Sequence, residues 1–338
     1  MAERGPIRVG IIGGGGIANS HVDGYLLAGD RAKVTAIADI DADHARATAE
    51  KLGGAKVFTD YHELIGSGLV DAVDICLPHH LHADAILTAA AARLHVLCEK
   101  PLCLTLREAD DISKAVASSG ITLMCAHNQL FLPAVARARE IVQGGGLGKV
   151  YEARTTDSFF NNMKPETIGW RRERATSGGG ELIDTGYHPT YLLLHLLASE
   201  PVEVAAMLSN HRLSFLEGED SAQVLVRFAD GSVGAMVTSW AYDPPASQEK
   251  FSVVGEGGTM WSDGKTLNVK PRGGEVTVEE FAEAKPHTIA LEVVDFIECL
   301  REGRRPLNTE VDGIRVLRVI LGAYASVDQK RIVALSEL

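Results

Sequence analysis

The sequence predicts an α/β domain with a parallel sheet, followed by an α+β domain with a large, mainly antiparallel sheet. Up to about residue 126, short apolar runs alternate with alanine-rich amphipathic segments, which is the rhythm of successive βαβ units. Beyond that point, longer alternating stretches follow one another with few helical segments between them, as in an antiparallel sheet. A chain of 338 residues is long enough for two cores. We therefore place the first domain at 1–126 and the second at 127–338.

Hydrophobic periodicity locates the elements of the first domain. Short apolar runs predict strands at 7–12, 34–38, 56–58, 72–77, 95–98 and 121–126. Amphipathic segments predict helices at 42–52, 83–93 and 106–118. Gly120 follows the last of these helices, at the position where a left-handed glycine often ends a helix.

The second domain opens with a predicted helix at 133–143 and continues mainly as strands. Alternating polar and apolar residues predict strands at 149–158, 202–209, 221–228, 232–240 and 251–254. Asp230-Gly231, between two of these runs, is a hairpin-turn signal. An apolar segment after a glycine-rich loop predicts one helix from Asp184 to His195, and two further helices are predicted near 288–302 and 311–328.

Composition excludes several classes of partner. The chain carries 33 basic and 45 acidic residues, so it lacks the basic surplus that binding to nucleic acid or to an anionic membrane needs. No apolar run approaches the roughly 20 residues of a transmembrane helix, and the first residues show no signal-peptide pattern. The five cysteines lie mostly in apolar runs, which predicts buried free thiols in a protein of the reducing cytoplasm.

A group of histidines near Cys76 raises the question of a metal site. His79, His80 and His82 follow this cysteine closely, but their spacing fits no zinc-binding pattern. We expect no metal, and we expect these residues to serve at a helix start and in a cofactor pocket.

The glycine run after the first predicted strand indicates a dinucleotide site. Gly13, Gly15 and Ala18 match the G-x-G-x-x-A pattern, in which the first glycine makes a tight turn and the second lets the backbone approach a pyrophosphate. Gly16 and Ile17 begin the following helix, whose N-terminal amides would face the phosphates. The pattern predicts a Rossmann domain, because a strand precedes the turn and a helix follows it.

An acid at the end of the second strand predicts which dinucleotide is bound. Asp39 stands where a carboxylate would bind the adenosine ribose and would repel a 2′-phosphate. Ile40 follows it in place of an arginine or serine. NAD is therefore expected in preference to NADP, and Arg46 is the residue that could reverse this preference.

Two segments carry candidate catalytic groups. Glu99 and Lys100 directly follow the strand at 95–98, and ligands of open α/β sheets bind at the carboxyl ends of strands. Asp184 and His188 are four residues apart, so on one helix they would share a face. His188 is a candidate general acid or base that Asp184 could orient, although a helical Asp–His pair with only a structural role fits the spacing equally well.

Taken together, these motifs resemble the Gfo/Idh/MocA oxidoreductase family over nearly the whole chain. The resemblance rests on the glycine motif with Asp39, on Cys76-Leu77-Pro78-His79-x-x-His82, on Glu99-Lys100-Pro101, on Gly169-Trp170-Arg171, and on Gly178-Gly179-Gly180-x-Leu182-x-Asp184-x-Gly186-x-His188.

The resemblance implies an NAD- or NADP-dependent enzyme that oxidises a secondary alcohol of a sugar or cyclitol, or reduces the matching ketone. It implies that Lys100, His188 and Asp184 are catalytic. The residues it implies for the cofactor, beyond the glycine motif and Asp39, are Cys76, Leu77, Pro78, His79, His82, Glu99, Lys100, Trp170 and Arg171. Those expected at the substrate are Lys100, His127, Asn128, Trp170, Asp184, His188 and Tyr191.

Some positions depart from the family pattern, and other functions stay open. His79 stands where asparagine is common, Gln129 near a frequent arginine, and Tyr191 where many members have aspartate. An NAD-using lyase or glycosidase that acts by transient oxidation, and a catalytically silent NAD-binding protein, are the alternatives to a dehydrogenase. We expect His188 to carry the proton and Lys100 to polarise the oxygen. Asp184 would bind a sugar hydroxyl and tune His188. A homodimer or homotetramer is usual for the family.

Overall fold

The computed structural model describes residues 5–282 and 287–338, and the chain divides into two units. The first unit is Met1–Asn128 with Pro286–Ile314, and the second is Gln129–Lys285 with Arg315–Leu338. Within the described ranges, no helix is both long and apolar enough to cross a membrane.

The first unit contains a six-stranded sheet in which every pair of neighbouring strands is parallel. Its strands and helices up to residue 128 are β1 (Ile7–Ile12), α1 (Gly16–Ala28), β2 (Ala32–Ala38), α2 (Ala42–Lys51), β3 (Lys56–Phe58), α3 (Tyr61–Ile65), β4 (Ala72–Ile75), α4 (His82–Ala91), β5 (His95–Cys98), α5 (Leu106–Ser119) and β6 (Leu123–Cys125). The strand order is β3-β2-β1-β4-β5-β6. The order reverses beside β1, so the carboxyl ends of β1 and β4 form the crevice where such sheets bind ligands.

This sheet confirms the parallel α/β prediction. The central strands are buried on both faces, as their continuous apolar sequence requires; all four residues of β4 are buried. Helix α5 begins with a capping box made by Thr105 and Glu108, and it ends at Gly120, which has a φ of 71°. All five cysteines are buried and free, as predicted.

The second unit contains a nine-stranded, mostly antiparallel sheet. Its elements before residue 283 are α6 (Pro133–Gln143), β7 (Val150–Ser158), α7 (Arg174–Ser177), α8 (Glu181–Asp184), α9 (Tyr187–Leu197), β8 (Pro201–Ser209), β9 (Ser221–Phe228), β10 (Val233–Ser239), β11 (Phe251–Gly255), β12 (Gly258–Ser262), β13 (Thr266–Pro271) and β14 (Thr277–Glu280). The strand order is β14-β13-β12-β11-β7-β10-β9-β8-β15, where β15 is Val333–Ala334. The pairing of β7 with β10 is parallel, whereas the other neighbouring pairs are antiparallel.

The helices near the C-terminus are α10 (Thr288–Glu302) and α11 (Glu310–Gln329). Helix α10 lies in the first unit, whereas the sequence-based division at residue 126 assigned it to the second. The physical reason is close packing against α1. Gly24 of α1 has no side chain, and a Cβ there would overlap Val293 of α10. The apolar periodicity of α10 predicts a buried face but does not indicate which unit covers it.

The segment around His188 also differs from the sequence prediction. Instead of one helix from Asp184 to His195, the chain forms α8, which ends at Asp184, and α9, which begins at Tyr187. The main-chain N–H of Gly186 bonds to the carbonyl of Glu181 at 2.9 Å, which closes a wider turn than that of an α-helix. Pro189 has no N–H to donate and so suits the first turn of a new helix. Asp184 and His188 therefore do not share one helical face.

Candidate functional site

The turn after β1 has the geometry that its glycines predict. Gly13 has a φ of 98°, and a Cβ there would overlap the carbonyl oxygen of Cys76. Its N–H donates to the carbonyl of Ala38 at 2.7 Å, which joins the turn to the end of β2. Gly13 is thus required by the fold itself.

The N-terminus of α1 fits a dinucleotide pyrophosphate. Gly15 is the N-cap residue, no side chain caps the helix, and its first turn carries no acid. A Cβ built on Gly15 or Gly16 meets no atom within 4 Å, so the space in front of these amides is open. Ala18 is fully buried, which allows the helix to approach the sheet closely. Backbone amides and the positive end of the helix dipole then face an open space suited to phosphate.

Asp39 lies directly beside this turn. Its Oδ2 accepts a hydrogen bond from the Gly14 N–H at 2.6 Å, and its Oδ1 accepts one from the Asp41 N–H at 2.8 Å. These bonds orient the carboxylate at the carboxyl end of β2, where a ribose is expected. Arg46, which could have favoured NADP, forms an ion pair with Asp43 on α2.

His82, just after β4, makes contacts that hold two loops at the carboxyl edge of the sheet. Nδ1 of His82 lies 2.7 Å from the carbonyl oxygen of Pro101, and Nε2 lies 2.8 Å from that of Leu77. Burial lowers the pKa of His82, although the contacts with the two carbonyl oxygens favour the protonated ring. His82 is fully buried, and its contacts join the loop after β4 to the loop after β5. It therefore positions the loop after β4, and its predicted contact with the cofactor stays a prediction.

Glu99 and Lys100 stand at the carboxyl end of β5. Oε2 of Glu99 accepts a hydrogen bond from the main-chain N–H of Lys100 at 3.0 Å, and Oε1 lies 3.1 Å from Nε2 of His21 on α1. Burial would raise the pKa of Glu99, but the hydrogen bond and charge of His21 and the charge of Lys100 outweigh it and lower the pKa. Glu99 is thus an ionised, buried group that supports the main chain of Lys100, and its predicted contact with the cofactor stays a prediction.

His188 stands in the first turn of α9, within the second unit. Its Nδ1 lies 2.8 Å from the hydroxyl of Tyr191, one turn further along the helix. The same hydroxyl accepts a hydrogen bond from the main-chain N–H of Gln129 at 3.1 Å. These contacts hold the imidazole in one orientation, and the predicted contact of Tyr191 with substrate stays a prediction.

An ionised acid lies close to this histidine. Asp157, at the end of β7, accepts a hydrogen bond from Nε2 of Gln129 at 3.0 Å, and Nζ of Lys250 is 3.7 Å away. Burial would raise the pKa of Asp157, but the charges of Lys250 and His188 outweigh it and lower the pKa. Neither Asp157 nor Lys250 was predicted. The sequence signal that could have indicated Asp157 was its position as an acid near the end of an alternating strand.

Asp184 at the end of α8 contacts Arg171. Its Oδ2 accepts a hydrogen bond from Nε of Arg171 at 2.6 Å, and the Arg171 guanidinium stacks over the ring of Trp170, with Cζ 4.3 Å from the ring centroid. These contacts lie within the second unit and hold the Asp184 carboxylate. The predicted cofactor contacts of Arg171 and Trp170 stay predictions.

The pair His127 and Asn128, predicted at the substrate, lies at the end of the first unit. Nδ2 of Asn128 donates to the hydroxyl of Thr288 at 3.1 Å, which ties this segment to the start of α10. His127 is almost fully buried. The contact of Asn128 with Thr288 lies within the first unit, and the substrate contacts predicted for His127 and Asn128 stay predictions.

Sequence reasoning also missed a buried polar group inside the first unit. His21 and Tyr25 lie on α1, Asp74 on β4 and Glu292 on α10, and all four side chains are buried. The available signals were a histidine and a tyrosine one turn apart on a buried helix face and an acid within an apolar strand. Neither the His–Tyr spacing nor the acid in the strand indicates by itself that these side chains contact one another.

Comparison with known proteins agrees with this geometry. Residues 7–127 match the family described as the oxidoreductase family with an NAD-binding Rossmann fold, and residues 135–261 match the GFO/IDH/MocA C-terminal domain. The chain is 28% identical to myo-inositol 2-dehydrogenase of Thermotoga maritima, over 98% of this chain and 99% of that protein. It is 30% identical to 1,5-anhydro-D-fructose reductase of Ensifer adhaerens, over 80% of this chain and 79% of that protein.

A solved structure shares the architecture over nearly its full length. It is an NAD-binding oxidoreductase from Klebsiella pneumoniae, which is 25% identical and superposes with a TM-score of 0.88. The match covers 98% of this chain and 99% of that protein.

Proposed function

Because the chain belongs to the Gfo/Idh/MocA family of NAD-binding oxidoreductases, we propose that it transfers a hydride between a nicotinamide and a secondary alcohol or ketone of a sugar, sugar derivative or cyclitol. The observation that carries this proposal is the open, uncapped glycine cradle beside Asp39, in a unit that also presents Lys100 at the carboxyl end of β5. The two named relatives act on an inositol and on an anhydro-sugar.

We assign NAD to the glycine cradle. Gly13, Gly15, Gly16 and Ala18 shape the turn, and the amides of the first turn of α1 would bind the pyrophosphate. Asp39 would accept hydrogen bonds from the adenosine ribose and repel a 2′-phosphate, so NAD is preferred over NADP. Arg46, which could bind that phosphate, forms an exposed ion pair with Asp43. When bound, NAD supplies the hydride-accepting carbon of the nicotinamide.

We assign the proton transfer to His188 and the stabilisation of charge to Lys100. In oxidation, Nε2 of His188 takes the hydroxyl proton of the substrate while the ammonium of Lys100 stabilises the developing alkoxide. In reduction, the same imidazole returns the proton. Tyr191 orients the ring through Nδ1, and the ionised Asp157 favours its charged form. Asp184, held by Arg171, would bind a second substrate hydroxyl.

We propose that the protein forms a homodimer or homotetramer through the outer face of the nine-stranded sheet. Met207 on β8 and Leu225 on β9 are 78% and 55% exposed, and they lie beside a shallow cavity of about 260 Å³. Removing large apolar side chains on a strand face from water is favourable, so an exposed apolar patch of this kind indicates an interaction surface. The five buried thiols suit a reducing compartment, so we propose a cytoplasmic location.

The direct test of the proposed function is a panel of sugars and cyclitols with NAD and, separately, NADP. We expect reduced nicotinamide to accumulate with at least one compound, and with NAD more efficiently than with NADP. Consumption of a substrate without net reduced nicotinamide would instead indicate a lyase or hydrolase that oxidises transiently. Tight NAD binding with no turnover of any compound would indicate a silent NAD-binding protein. His188→Ala serves as the control for contaminating activity, and His211→Ala, at an exposed histidine, as its matched variant.

A further inference from the structure

A chain of hydrogen bonds runs through the interior of the first unit and ends at the backbone of Lys100. The hydroxyl of Tyr25 donates to Oδ2 of Asp74 at 2.9 Å, and the same oxygen lies 2.9 Å from Nδ1 of His21. Nε2 of His21 lies 3.1 Å from Oε1 of Glu99, whose Oε2 accepts from the Lys100 N–H at 3.0 Å. Three separate elements, α1, β4 and the end of β5, supply the links.

The contacts of His21 indicate how many protons its ring carries. Both ring nitrogens face carboxylate oxygens, and a neutral imidazole has only one N–H to donate. Both bonds are therefore made only by a doubly protonated ring, unless one carboxyl group carries the proton. Burial alone would lower the pKa of His21, but the interactions of the ring with Asp74 and, after it, with Cys76 outweigh burial and raise the pKa well above its usual value.

Glu292 completes the surroundings of this histidine from the side of α10. Its side chain is fully buried, and neither carboxyl oxygen has a hydrogen-bond partner among the described residues. Burial and the charge of Glu99 raise the pKa of Glu292 well above its usual value, so it is a neutral acid. Cys76 also faces His21, and burial raises the pKa of its thiol to about 12.

We propose that His21 and Asp74 are positioning residues that keep Glu99 ionised and oriented, and that Glu99 thereby holds the main chain of Lys100 in place for catalysis. Asp74 orients His21 through Nδ1, and His21 presents its second N–H to Glu99. Glu99 uses its other oxygen to fix the Lys100 N–H, while its charge acts on the Lys100 side chain. This inference rests on the proposed catalytic role of Lys100.

A bound cation is the competing explanation for the same residues. Ligand atoms of His21, Glu99 and Glu292 lie within 4.8 Å of one another. However, the 3.1 Å contact between His21 and Glu99 is a direct hydrogen bond, which a metal between them would have to break. A hydrogen-bonded imidazolium accounts for both ring nitrogens without a metal.

The first test observes His21 directly and does not depend on turnover. The full chain is labelled with ¹⁵N-histidine, and the resonance of His21 is assigned by its loss in His21→Gln. We expect both ring nitrogens to remain protonated at pH 8, where an ordinary histidine is neutral. Titration of His21 near its ordinary pKa would overturn the proposal, as would a stoichiometric metal ion in the purified protein that dissociates with a chelator and changes this resonance.

The second test uses the pH dependence of activity. The substitution His21→Gln removes the positive charge of the imidazolium. The pKa of Glu99 therefore rises, and Glu99 becomes protonated at a higher pH. We expect kcat of His21→Gln to fall by about 10- to 100-fold, because Lys100 is less well placed. The loss should deepen as the pH falls, and NAD affinity should change little. In His21→Gln/Glu99→Gln this additional acid dependence should disappear, since position 99 no longer titrates.

A loss of kcat in His21→Gln that is the same at every pH, or an acid dependence that persists in the double variant, would overturn the proposal. Asp74→Asn is the second variant should His21→Gln fail to fold, and it should show a smaller loss of the same pH-dependent kind. If the wild-type protein turns over no substrate, the proposed function fails, while the ¹⁵N measurement still decides the state of His21.

Discussion

At the scale of single residues, the account depends on Lys100 and His188. Lys100 follows β5, and His188 lies in the first turn of α9. We expect Lys100→Ala and His188→Ala each to lower kcat by about 10²–10⁴-fold, because each removes a group that acts on the transferred proton or the developing charge. The measurement is steady-state kinetics, with the melting temperature as a check on folding.

The matched variants for these substitutions are Lys270→Ala and His211→Ala, at exposed positions of the second unit. Both should retain wild-type turnover. Wild-type kcat in either Lys100→Ala or His188→Ala would remove that residue from the mechanism.

Asp39 carries the prediction on cofactor choice. Its carboxylate lies beside the glycine turn, where it would accept ribose hydrogen bonds and repel a 2′-phosphate. Asp39→Ala should weaken NAD binding and raise the ratio of NADP affinity to NAD affinity. Isothermal titration with both dinucleotides measures this. A wild-type protein that already prefers NADP would show that Asp39 does not select the cofactor.

At the scale of the elements, two glycines of the turn after β1 differ in why a glycine is needed. Gly13 is required by the fold, whereas Gly15 is expected to be required by the ligand. A Cβ at Gly13 would overlap the Cys76 carbonyl, whereas one at Gly15 meets nothing within 4 Å, and the φ of Gly15 is −74°. Gly13→Ala should therefore lower both the melting temperature and NAD affinity. Gly15→Ala should lower NAD affinity and leave the melting temperature of the free protein nearly unchanged. Unchanged NAD affinity in Gly15→Ala would place the pyrophosphate elsewhere.

The N-terminus of α5 provides a prediction on stability alone. The Thr105 hydroxyl accepts from the Glu108 N–H, and the Glu108 carboxylate accepts from the N–H of Thr105. Thr105→Ala should reduce the free energy of unfolding by about 1 kcal/mol, which urea denaturation can measure. Ser118→Ala, at an exposed position near the end of the same helix, should change it by less than about 0.5 kcal/mol. Equal effects would mean that the cap does not stabilise the helix.

Most elements could be predicted because their periodicity is local. The strand Ile7–Ile12 and the helix Pro133–Gln143 have the predicted bounds. The break between α8 and α9 was missed because apolar residues continue through it, while the turn depends on Gly186 and Pro189. Strands β12 to β14 were not predicted. Glycine and charged residues interrupt their pattern, and each strand is stabilised by antiparallel pairing with the strand next to it in the chain.

At the scale of the whole molecule, the sequence indicates which residues could act in binding or catalysis, but it does not indicate which of them contact one another. The motif residues Gly13, Asp39 and Lys100 lie at the carboxyl edge of the first sheet, as its topology requires. The pairing of Asp184 with Arg171, and that of His21 with Asp74 and Glu99, could not be predicted, because those contacts join residues that are distant along the chain or separated by an unpredicted turn.

The outer face of the nine-stranded sheet carries the prediction on assembly. An arginine at Leu225 would place a charge in the proposed interface, and desolvating that charge is costly. Leu225→Arg should therefore lower the mass found by sedimentation, while Lys114→Glu, on an exposed part of the first unit, should not. A wild-type monomer at micromolar concentration, or an unchanged assembly in Leu225→Arg, would contradict the proposed interface.

The central claim is that a hydride moves between the substrate carbon and the nicotinamide. The most direct measurement uses an active sugar or cyclitol that carries deuterium on the carbon of the reacting hydroxyl, followed by mass spectrometry of the nicotinamide. The account predicts reduced nicotinamide that is heavier by one deuterium, and loss of this transfer in Lys100→Ala and His188→Ala. Reduced nicotinamide without deuterium, or product formed while the deuterium stays on its original carbon throughout, would contradict it.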